Sequence, residues 1–324
     1  MIREPVIMSP GSKNNPFPAK KMILAGRKQY LWLRGRMIQA MRLFFIGHDY
    51  LEVETPQLVP APAPEPHIHA ISAGSLFLHT SPELCMKRLL AAGYPKIFQI
   101  CKCFRSAERG DLHLPEFTML EWYRTGIDYM ALMEECESMI LSVSRRLGAG
   151  DRINYQGTEI DLKCPWERLA VSEAFDRFAF LTPETAIGKG IFDKVMVEKI
   201  EPNLGVTRPT ILYDYPARLA ALARLKPGNK KLAERFEIYI AGLELANGFS
   251  ELTDAKEQRA RFERDREKRL DSDKQVYPMP ETFLKALDKM PRAAGIALGV
   301  DRLAMILADR SRIDDVVTFT PEEA

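Results

Sequence analysis

The chain has 324 residues, of which 46% are hydrophobic and 28% charged, a composition that is ordinary for a soluble globular protein. Its formal net charge is only +2, which argues against extensive binding of a long polyanion, because such binding normally requires a marked basic excess. The sequence has no apolar signal core near Met1 and no long uncharged apolar run, so we expect a cytoplasmic protein without membrane contact.

The first part of the chain predicts a flexible arm followed by a long helix. Residues 1–20 are rich in Pro, Asn, Gly and Ser, and we expect an arm there, followed by a single domain over residues 21–324. From about Met22 to Gly47, apolar residues recur every three or four positions, which predicts a helix that the glycine ends. The segment YLEVETPQLVP then predicts a strand running into Pro56.

The segment LFLHTSPELCMKRLLAAG predicts a strand and then a helix that starts at Ser81 and Pro82. Glu83 falls in the first turn of this helix. An acidic residue at that position most often compensates the positive end of the helix dipole. A role in ligand binding is the alternative.

The stretch FRSAERGDLHLPEFTMLEWY predicts a hairpin with a long loop, between strands at residues 97–105 and 117–123. If the two strands present the same face, Arg105 could bind phosphate or carboxylate and Phe117 could stack on a flat ring. Glu121 and Tyr123 could hold an amine. An amphipathic hairpin with a salt-bridged arginine is the alternative. Because side chains alternate along a strand, two sets each share one face: Gln99, Cys101, Cys103 and Arg105, and Phe117, Met119, Glu121 and Tyr123.

The five cysteines do not indicate a disulfide framework, because their number is odd and the chain is large. Cys101 and Cys103 lie two positions apart on one predicted strand. No second Cys or His pair follows at a spacing typical of zinc sites. We therefore expect buried thiols in a reducing compartment.

The segment RFEIYIAGLELANGFSEL predicts a second hairpin. A two-residue turn at Ala241–Gly242 pairs Tyr239 with Glu244 and puts Glu237 on the same face. Two carboxylates that converge in this way favour a divalent cation bridging to phosphate, with two exposed strand carboxylates as the alternative. Three further residues then alternate onto one face: Asn247, Phe249 and Glu251.

The last patterned segment, AGIALGVDRLAMIL, predicts a strand of small residues that ends at Gly299. A helix follows, and Arg302 lies in its first turns.

Together these segments resemble the catalytic domain of the class II aminoacyl-tRNA synthetases, specifically the lysyl branch. The helix and strand at 22–60 resemble motif 1, PEFTMLEWY with the preceding arginine and loop resembles motif 2, and GIALGVDR resembles motif 3. The resemblance implies an α+β fold in which helices flank an antiparallel β-sheet. It also implies a homodimer formed through motif 1, for which an ordinary helix–strand unit is the alternative.

The resemblance further implies that an amino acid carboxylate attacks the α-phosphorus of ATP, in the presence of Mg²⁺, to give an aminoacyl-adenylate. Arg105 and Arg302 would then be the catalytic residues, with no enzyme nucleophile, and Glu237 and Glu244 would hold the metal. The implied ATP site consists of Arg105, Ser106, Ala107, Glu108, His113, Phe117, Glu244, Leu245, Gly299 and Arg302. The implied amino acid site consists of Ser81, Pro82, Glu83, Glu121, Tyr123, Asn247, Phe249, Glu251 and Ala297.

Two features separate the chain from lysyl-tRNA synthetases. Those enzymes carry an N-terminal anticodon-binding domain, for which the residues before the first predicted helix leave no room, and they have Gly where this chain has Ala297. Both features resemble the elongation factor P–(R)-β-lysine ligases, which implies transfer of (R)-β-lysine or lysine to a lysine side chain of elongation factor P, without extensive tRNA binding. A minimal lysyl-tRNA synthetase-like enzyme and a non-catalytic, synthetase-like regulatory subunit are the alternatives.

Two positions in motif 2 depart from the family pattern. Ala107 replaces the glutamate of the family's FRNE, and the adjacent Glu108 is a candidate substitute. Leu114 replaces the asparagine of the family's HNPEF. Both changes predict altered ATP affinity or loop geometry.

Overall fold

The structure is a computed structural model that describes residues 17–324, with side chains from residue 24 onward. Residues 1–16 of the predicted arm lie outside the described residues. Residues 17–20, also assigned to the arm, instead form the first turn of a helix that begins at Phe17. The boundary predicted between arm and helix was therefore too late in the chain, because the apolar repeat becomes clear only after this first turn.

The secondary structure alternates helices with short and long strands. The helices are α1 (Phe17–Ile46), α2 (Glu83–Ala91), α3 (Tyr129–Arg146), α4 (Val171–Ala179), α5 (Pro183–Gly188), α6 (Phe192–Val195), α7 (Ala255–Asp271), α8 (Glu281–Leu287) and α9 (Val300–Leu307). The strands are β1 (Leu51–Glu52), β2 (Leu58–Val59), β3 (Ile71–Ala73), β4 (Leu76–Leu78), β5 (Lys96–Phe104), β6 (Glu116–Thr125), β7 (Arg152–Tyr155), β8 (Thr158–Asp161), β9 (Glu167–Ala170), β10 (Thr210–Pro216), β11 (Leu232–Ile240), β12 (Leu243–Ser250) and β13 (Ala293–Gly299).

Eight of these strands form the main sheet, in the order β1-β5-β6-β13-β12-β11-β10-β9. The six central strands, from β5 to β10 in this order, are antiparallel to one another. The edge strands β1 and β9 are parallel to β5 and β10, respectively. The predicted α+β class with an antiparallel sheet flanked by helices is therefore confirmed, with parallel pairs added at both edges.

The strand predicted after α1 is much shorter than expected. Only Leu51 and Glu52 pair with β5, and the chain leaves the sheet before it reaches Pro56. Leu58 and Val59 join a separate three-stranded sheet instead. The proline has no N–H to donate to a ladder, so the predicted strand is split at this point.

One face of the main sheet is covered by α1, α3 and α9 and forms the largest core. Phe45 of α1 stacks on Phe98 of β5, with the ring centroids 4.8 Å apart, and contacts Trp122 of β6. All three side chains are fully buried. Phe98 and Trp122 alternate with Gln99 and Glu121, which therefore project from the opposite face of the sheet.

A buried carboxylate ties this core to the hairpin β5–β6. Asp301, in the first turn of α9, accepts hydrogen bonds from the backbone N–H of Thr118 at 2.6 Å and from Arg34 Nη2 at 2.8 Å. The three residues come from β6, α1 and α9, so one side chain fixes all three elements relative to each other. No helix within residues 17–324 combines the length and apolarity required to span a bilayer.

Candidate active site

A cavity of about 480 Å³ lies on the face of the main sheet opposite the large core. Its walls come from the β5–β6 hairpin, the helix α2, the strands β11 to β13 and the start of α9. The sequence-predicted site residues that line it are Ser81, Glu83, Arg105, Glu108, His113, Phe117, Glu121, Tyr123, Glu237, Glu244, Leu245, Asn247, Phe249, Ala297, Gly299 and Arg302. The remaining predicted residues, Pro82, Ser106, Ala107 and Glu251, do not line it.

The floor of the cavity is a row of side chains that crosses the sheet. The two faces of the predicted hairpin coincide, because Gln99 pairs with Glu121 across β5 and β6. Glu121 pairs in turn with Ala297, Ala297 with Asn247, and Asn247 with Glu237. Paired residues in a sheet project to the same side, so residues far apart in the sequence meet here.

Glu121 is held at one end of the cavity by two hydroxyl groups. Ser81 Oγ donates to Glu121 Oε1 at 2.6 Å, and the Tyr123 hydroxyl donates to Oε2 at 2.8 Å. Glu121 is almost completely buried. This burial, together with the nearby charge of Glu83, raises the pKa of Glu121 to about 8.

Lys87 was not predicted, yet it organises this end of the site. Its Nζ lies 2.6 Å from Glu83 Oε1 and 2.5 Å from Glu251 Oε2, and 4.9 Å from the centre of the Phe249 ring. Burial alone would lower the pKa of Lys87, but the charges of Glu251 and Glu83 outweigh it and the net shift is upward. The carboxylates of Glu83 and Glu251 are thus partly neutralised by an internal ammonium. The sequence does contain a signal for this contact: Glu83 and Lys87 are four residues apart on α2, which puts them on the same face of the helix.

Glu251 lies just behind the cavity wall, in space that is available because residue 295 is a glycine. It is 1% exposed, and its Oε1 has no hydrogen-bond partner. A Cβ atom on Gly295 of β13 would lie 2.6 Å from this oxygen and would also collide with the ring of Tyr123. Burial, with the charge of Glu83 adding to it against the opposing effect of Lys87, raises the pKa of Glu251 to about 8.

The other end of the cavity carries positive charge and an aromatic ring. The Arg105 guanidinium lies 5.0 Å from the centre of the Phe117 ring. Arg302 Nη1 donates to the carbonyl oxygen of Glu244 at 2.6 Å, and its Nη2 contacts His113. A flat ring and two arginines at one end, with carboxylates at the other, give the cavity a strong polarity.

The motif 2 loop places only some of its predicted residues at the cavity. Ala107 has φ = 65°, a left-handed conformation that is unfavourable for alanine, and lies outside the lining. The backbone N–H of Ser106 donates to the carbonyl oxygen of His69 instead. Glu108, by contrast, lines the cavity and forms an ion pair with Arg105 at 3.8 Å. Leu114 is buried in the large core and adds an apolar contact at the cavity edge.

The two carboxylates predicted to bind metal differ in how available they are. Glu237 Oε1 accepts from Arg235 at 2.6 Å and Asn247 at 3.3 Å, and its Oε2 accepts from the Tyr215 and Tyr239 hydroxyls at 2.5 and 2.7 Å. These four donors occupy the lone pairs of that carboxylate. The Glu244 side chain is 38% exposed, and its Oε2 lies 3.9 Å from Arg302 Nη1. Glu244 therefore fits a Mg²⁺ ion as the structure stands, whereas Glu237 would first have to release a donor.

Comparison with known proteins shows which family this architecture represents. The family described as tRNA synthetases class II (D, K and N) matches residues 21–323. The chain belongs to this family. Membership implies the use of ATP, and the predicted resemblance to class II synthetases is confirmed.

Similar curated proteins narrow the assignment within the family. The chain is 40% identical over 314 residues to an elongation factor P–(R)-β-lysine ligase of Vibrio campbellii, with 88% of this chain and 94% of the relative covered. Proteins with the same description from Proteus mirabilis and Haemophilus influenzae are each 39% identical and cover 93% and 94% of their own length, with 88% and 90% of this chain. The chain is thus a member of the ligase branch that the sequence motifs predicted.

The fit of Gly295 against Tyr123 and Glu251 gives a first test of the site. Gly295→Ala should weaken binding of a lysine isomer by about tenfold or more, because inserting a methyl group into a closely packed site costs roughly 1–3 kcal/mol. Binding of a non-hydrolysable ATP analogue should change much less. Isothermal titration calorimetry with both ligands measures the two affinities. Gly188→Ala is the matched control, since a Cβ there meets nothing within 4 Å; equal losses for both ligands in Gly295→Ala would contradict the assignment.

Proposed function

We propose that this protein activates (R)-β-lysine, or lysine, with ATP and transfers it to a lysine side chain of elongation factor P. The observation that carries the proposal is the polarity of one cavity. Glu83, Glu121 and Tyr123 lie at the end suited to ammonium groups, and Arg105 and Arg302 lie at the end suited to phosphates. The names of the curated relatives support the same substrate and acceptor.

The reaction requires positioning and charge stabilisation rather than covalent help. The substrate carboxylate oxygen attacks the α-phosphorus of ATP, and the bond to the β-phosphate breaks to release pyrophosphate. In this proposal Arg105 stabilises charge on the α-phosphate, and Arg302 stacks against the adenine on the side opposite Phe117. The acceptor amine then attacks the acyl carbon of the adenylate, AMP leaves, and the amine nitrogen loses a proton as the amide forms. The enzyme itself supplies no nucleophile.

Mg²⁺ bound to the ATP phosphates would supply charge neutralisation in this reaction. Glu244 is the residue that would hold it, because its carboxylate is open. Glu237 would act mainly by fixing Arg235 and Asn247 beside the ligand.

The decisive experiment is intact-mass analysis of elongation factor P after incubation with the enzyme, ATP and each lysine isomer. We expect a mass increase of one lysyl group, largest with (R)-β-lysine. Pyrophosphate exchange without any change in the mass of elongation factor P would favour the minimal lysyl-adenylate-forming alternative. Absence of exchange with every isomer would overturn the proposal and leave a binding role.

The binding of the diamino acid should depend on pH. Glu121 lines the cavity and its pKa is raised to about 8, so its carboxyl group is largely protonated at neutral pH. An ammonium group binds the ionised form. The affinity should therefore rise as the pH increases from 6 to 8 and level off above 8, changing by up to about tenfold per pH unit.

Calorimetry in buffers with different ionisation enthalpies measures this effect directly, because binding should release protons at pH 7. Glu121→Gln should reduce the number of protons released. An affinity that is constant between pH 6 and 8, with no proton release, would contradict the assigned ammonium site.

The unequal availability of the two acidic residues predicts unequal effects on magnesium. Glu244→Gln should raise the Mg²⁺ concentration needed for half-maximal pyrophosphate exchange, because the phosphates lose a coordinated counter-charge. Glu237→Gln should leave that concentration nearly unchanged and instead lower the affinity for ATP or amino acid. Exchange rates measured over a Mg²⁺ titration separate the two effects; equal shifts in both variants would contradict the assignment of Glu244 as the main metal ligand.

Ala297 lies in the cavity floor between Glu121 and Asn247, where a single methyl group can select between isomers. Ala297→Gly should improve activation of α-lysine relative to β-lysine, since one methylene-sized change is worth about 1–3 kcal/mol of discrimination. Pyrophosphate exchange with both isomers measures the ratio. Ala294→Gly removes a methyl from the same strand but from the buried core, and it is the control. An unchanged ratio in Ala297→Gly would make Ala297 a packing residue only.

We also propose that the protein is a homodimer in the cytoplasm, formed through α1 and β1. Trp32, Leu43 and Ile46 of α1 are more than half exposed, and Leu51 of β1 is 50% exposed, a concentration of apolar surface typical of an interface. Trp32→Glu should shift the protein to a smaller species in sedimentation velocity. Phe180→Glu changes an exposed aromatic residue directly after α4 and should leave the sedimentation coefficient unchanged. A smaller species in Phe180→Glu but not in Trp32→Glu would contradict the assignment of the interface to α1.

A further inference from the structure

A cluster of three metal-ligating side chains lies beside the active-site cavity, and none of the three belongs to the proposed reaction. Cys101 and Cys103 project from the same face of β5, with their sulfur atoms 4.0 Å apart. The fold brings His79, from the segment between β4 and α2, against them. The ligand atoms of the three residues all lie within 4.8 Å of one another.

The hydrogen bonding of His79 leaves one ring nitrogen available to a cation. Its Nε2 lies 2.7 Å from the carbonyl oxygen of Lys102. A carbonyl oxygen can only accept, so Nε2 carries the hydrogen and Nδ1 has the free lone pair. Nδ1 is buried without a hydrogen-bond partner, in a residue that is 2% exposed. A backbone carbonyl that fixes the tautomer and ring orientation in this way is a common feature of histidines that bind metals.

The distances suit a tetrahedral ion. With zinc–sulfur bonds of about 2.3 Å, two cysteine ligands of a tetrahedral zinc ion have sulfur atoms about 3.8 Å apart. The 4.0 Å separation of Cys101 and Cys103 is close to this value. Two thiolates and one imidazole form a soft ligand set, which selects Zn²⁺ or a similar transition metal and disfavours Mg²⁺.

We infer that Cys101, Cys103 and His79 form a binding site for a soft divalent cation of the zinc class. Three protein ligands leave a fourth position for water or for the amide oxygen of Gln99. Gln99 shares the strand face of the two cysteines, and its Oε1 is buried without a hydrogen-bond partner. The site is linked to the cavity, since Ser81, two residues beyond His79, donates to Glu121.

A disulfide between the two cysteines explains the observations less well. Both cysteines are free, and their sulfur atoms lie 4.0 Å apart, about twice the length of an S–S bond. Residues two apart in an extended strand have Cα atoms about 6.6 Å apart, near the upper end of the roughly 4.4–6.8 Å that disulfides usually span. A Cys101–Cys103 bond would also leave the lone pair of His79 without a partner.

Cobalt titration of the reduced, purified full-length protein tests the site, because Co²⁺ replaces Zn²⁺ and reports its ligands in the absorption spectrum. We expect one equivalent of Co²⁺ to produce a thiolate-to-metal charge-transfer band and intense tetrahedral d–d bands, both removed by one equivalent of Zn²⁺. Mg²⁺ should not compete. A cation bound only to carboxylates such as Glu244 gives no thiolate band, so the two sites are distinguishable.

Substitutions identify the ligands. Cys101→Ser and Cys103→Ser should each abolish the charge-transfer band or weaken the Co²⁺ affinity at least tenfold, while Cys164→Ser, at an exposed thiol outside the cluster, should leave both unchanged. Cys101 is only partly buried, so its variant is the safer one for folding, and circular dichroism checks both. A wild-type spectrum without thiolate bands, equal affinities in all variants, or a Cys101–Cys103 disulfide found in the reduced, Co²⁺-treated protein by mass spectrometry would overturn the inference.

Discussion

The hydrogen-bonded register of β6, β13 and β12 is the constraint on which the site depends. It sets Glu121, Ala297 and Asn247 in one row on the cavity face, with Trp122, Ile296 and Ala246 on the core face. A slip of one residue in any of these strands would turn its polar side chains into the core. The large core therefore stabilises the register, and the register in turn assembles the site.

An irregularity in the second hairpin is equally important. Ile238 pairs with Ala246 but Tyr239 pairs with Glu244, so Leu245 is an extra residue in β12. In a regular strand Glu244 and Asn247 would project to opposite faces, because their separation is odd. The bulge brings Glu244 to the face of Asn247 and Glu237, on the cavity side of the sheet.

The charge arrangement explains how acidic residues are accommodated in a buried site. Glu121 is stabilised by two hydroxyl donors and by protonation near neutral pH, whereas Glu251 is stabilised by the ammonium of Lys87. An ammonium group of a substrate in the cavity would compete with Lys87 for Glu83, which lines the cavity. Selectivity for such a substrate then depends on displacement of an internal cation as well as on the shape of the cavity.

The structure shows where the two residues that depart from the family pattern in motif 2 lie. Ala107 has a positive φ and lies outside the cavity lining, whereas the adjacent Glu108 lines the cavity beside Arg105. The carboxylate proposed as the substitute for the family glutamate is therefore present in the cavity. Leu114 is buried in the core.

The sequence by itself determined the class of fold, the hairpins and many of the residues that line the cavity, because these depend on local periodicity, turn residues and long family motifs. The Ala241–Gly242 turn is an example: both residues have positive φ, as a two-residue hairpin turn requires. Only the tertiary structure decided which charges meet. The contacts of Lys87 with Glu251, of Glu237 with Tyr215 and Asn247, and of His79 with the two cysteines each join residues from different elements. Such contacts follow from strand order, register and a bulge, none of which leaves a periodic signal in the sequence.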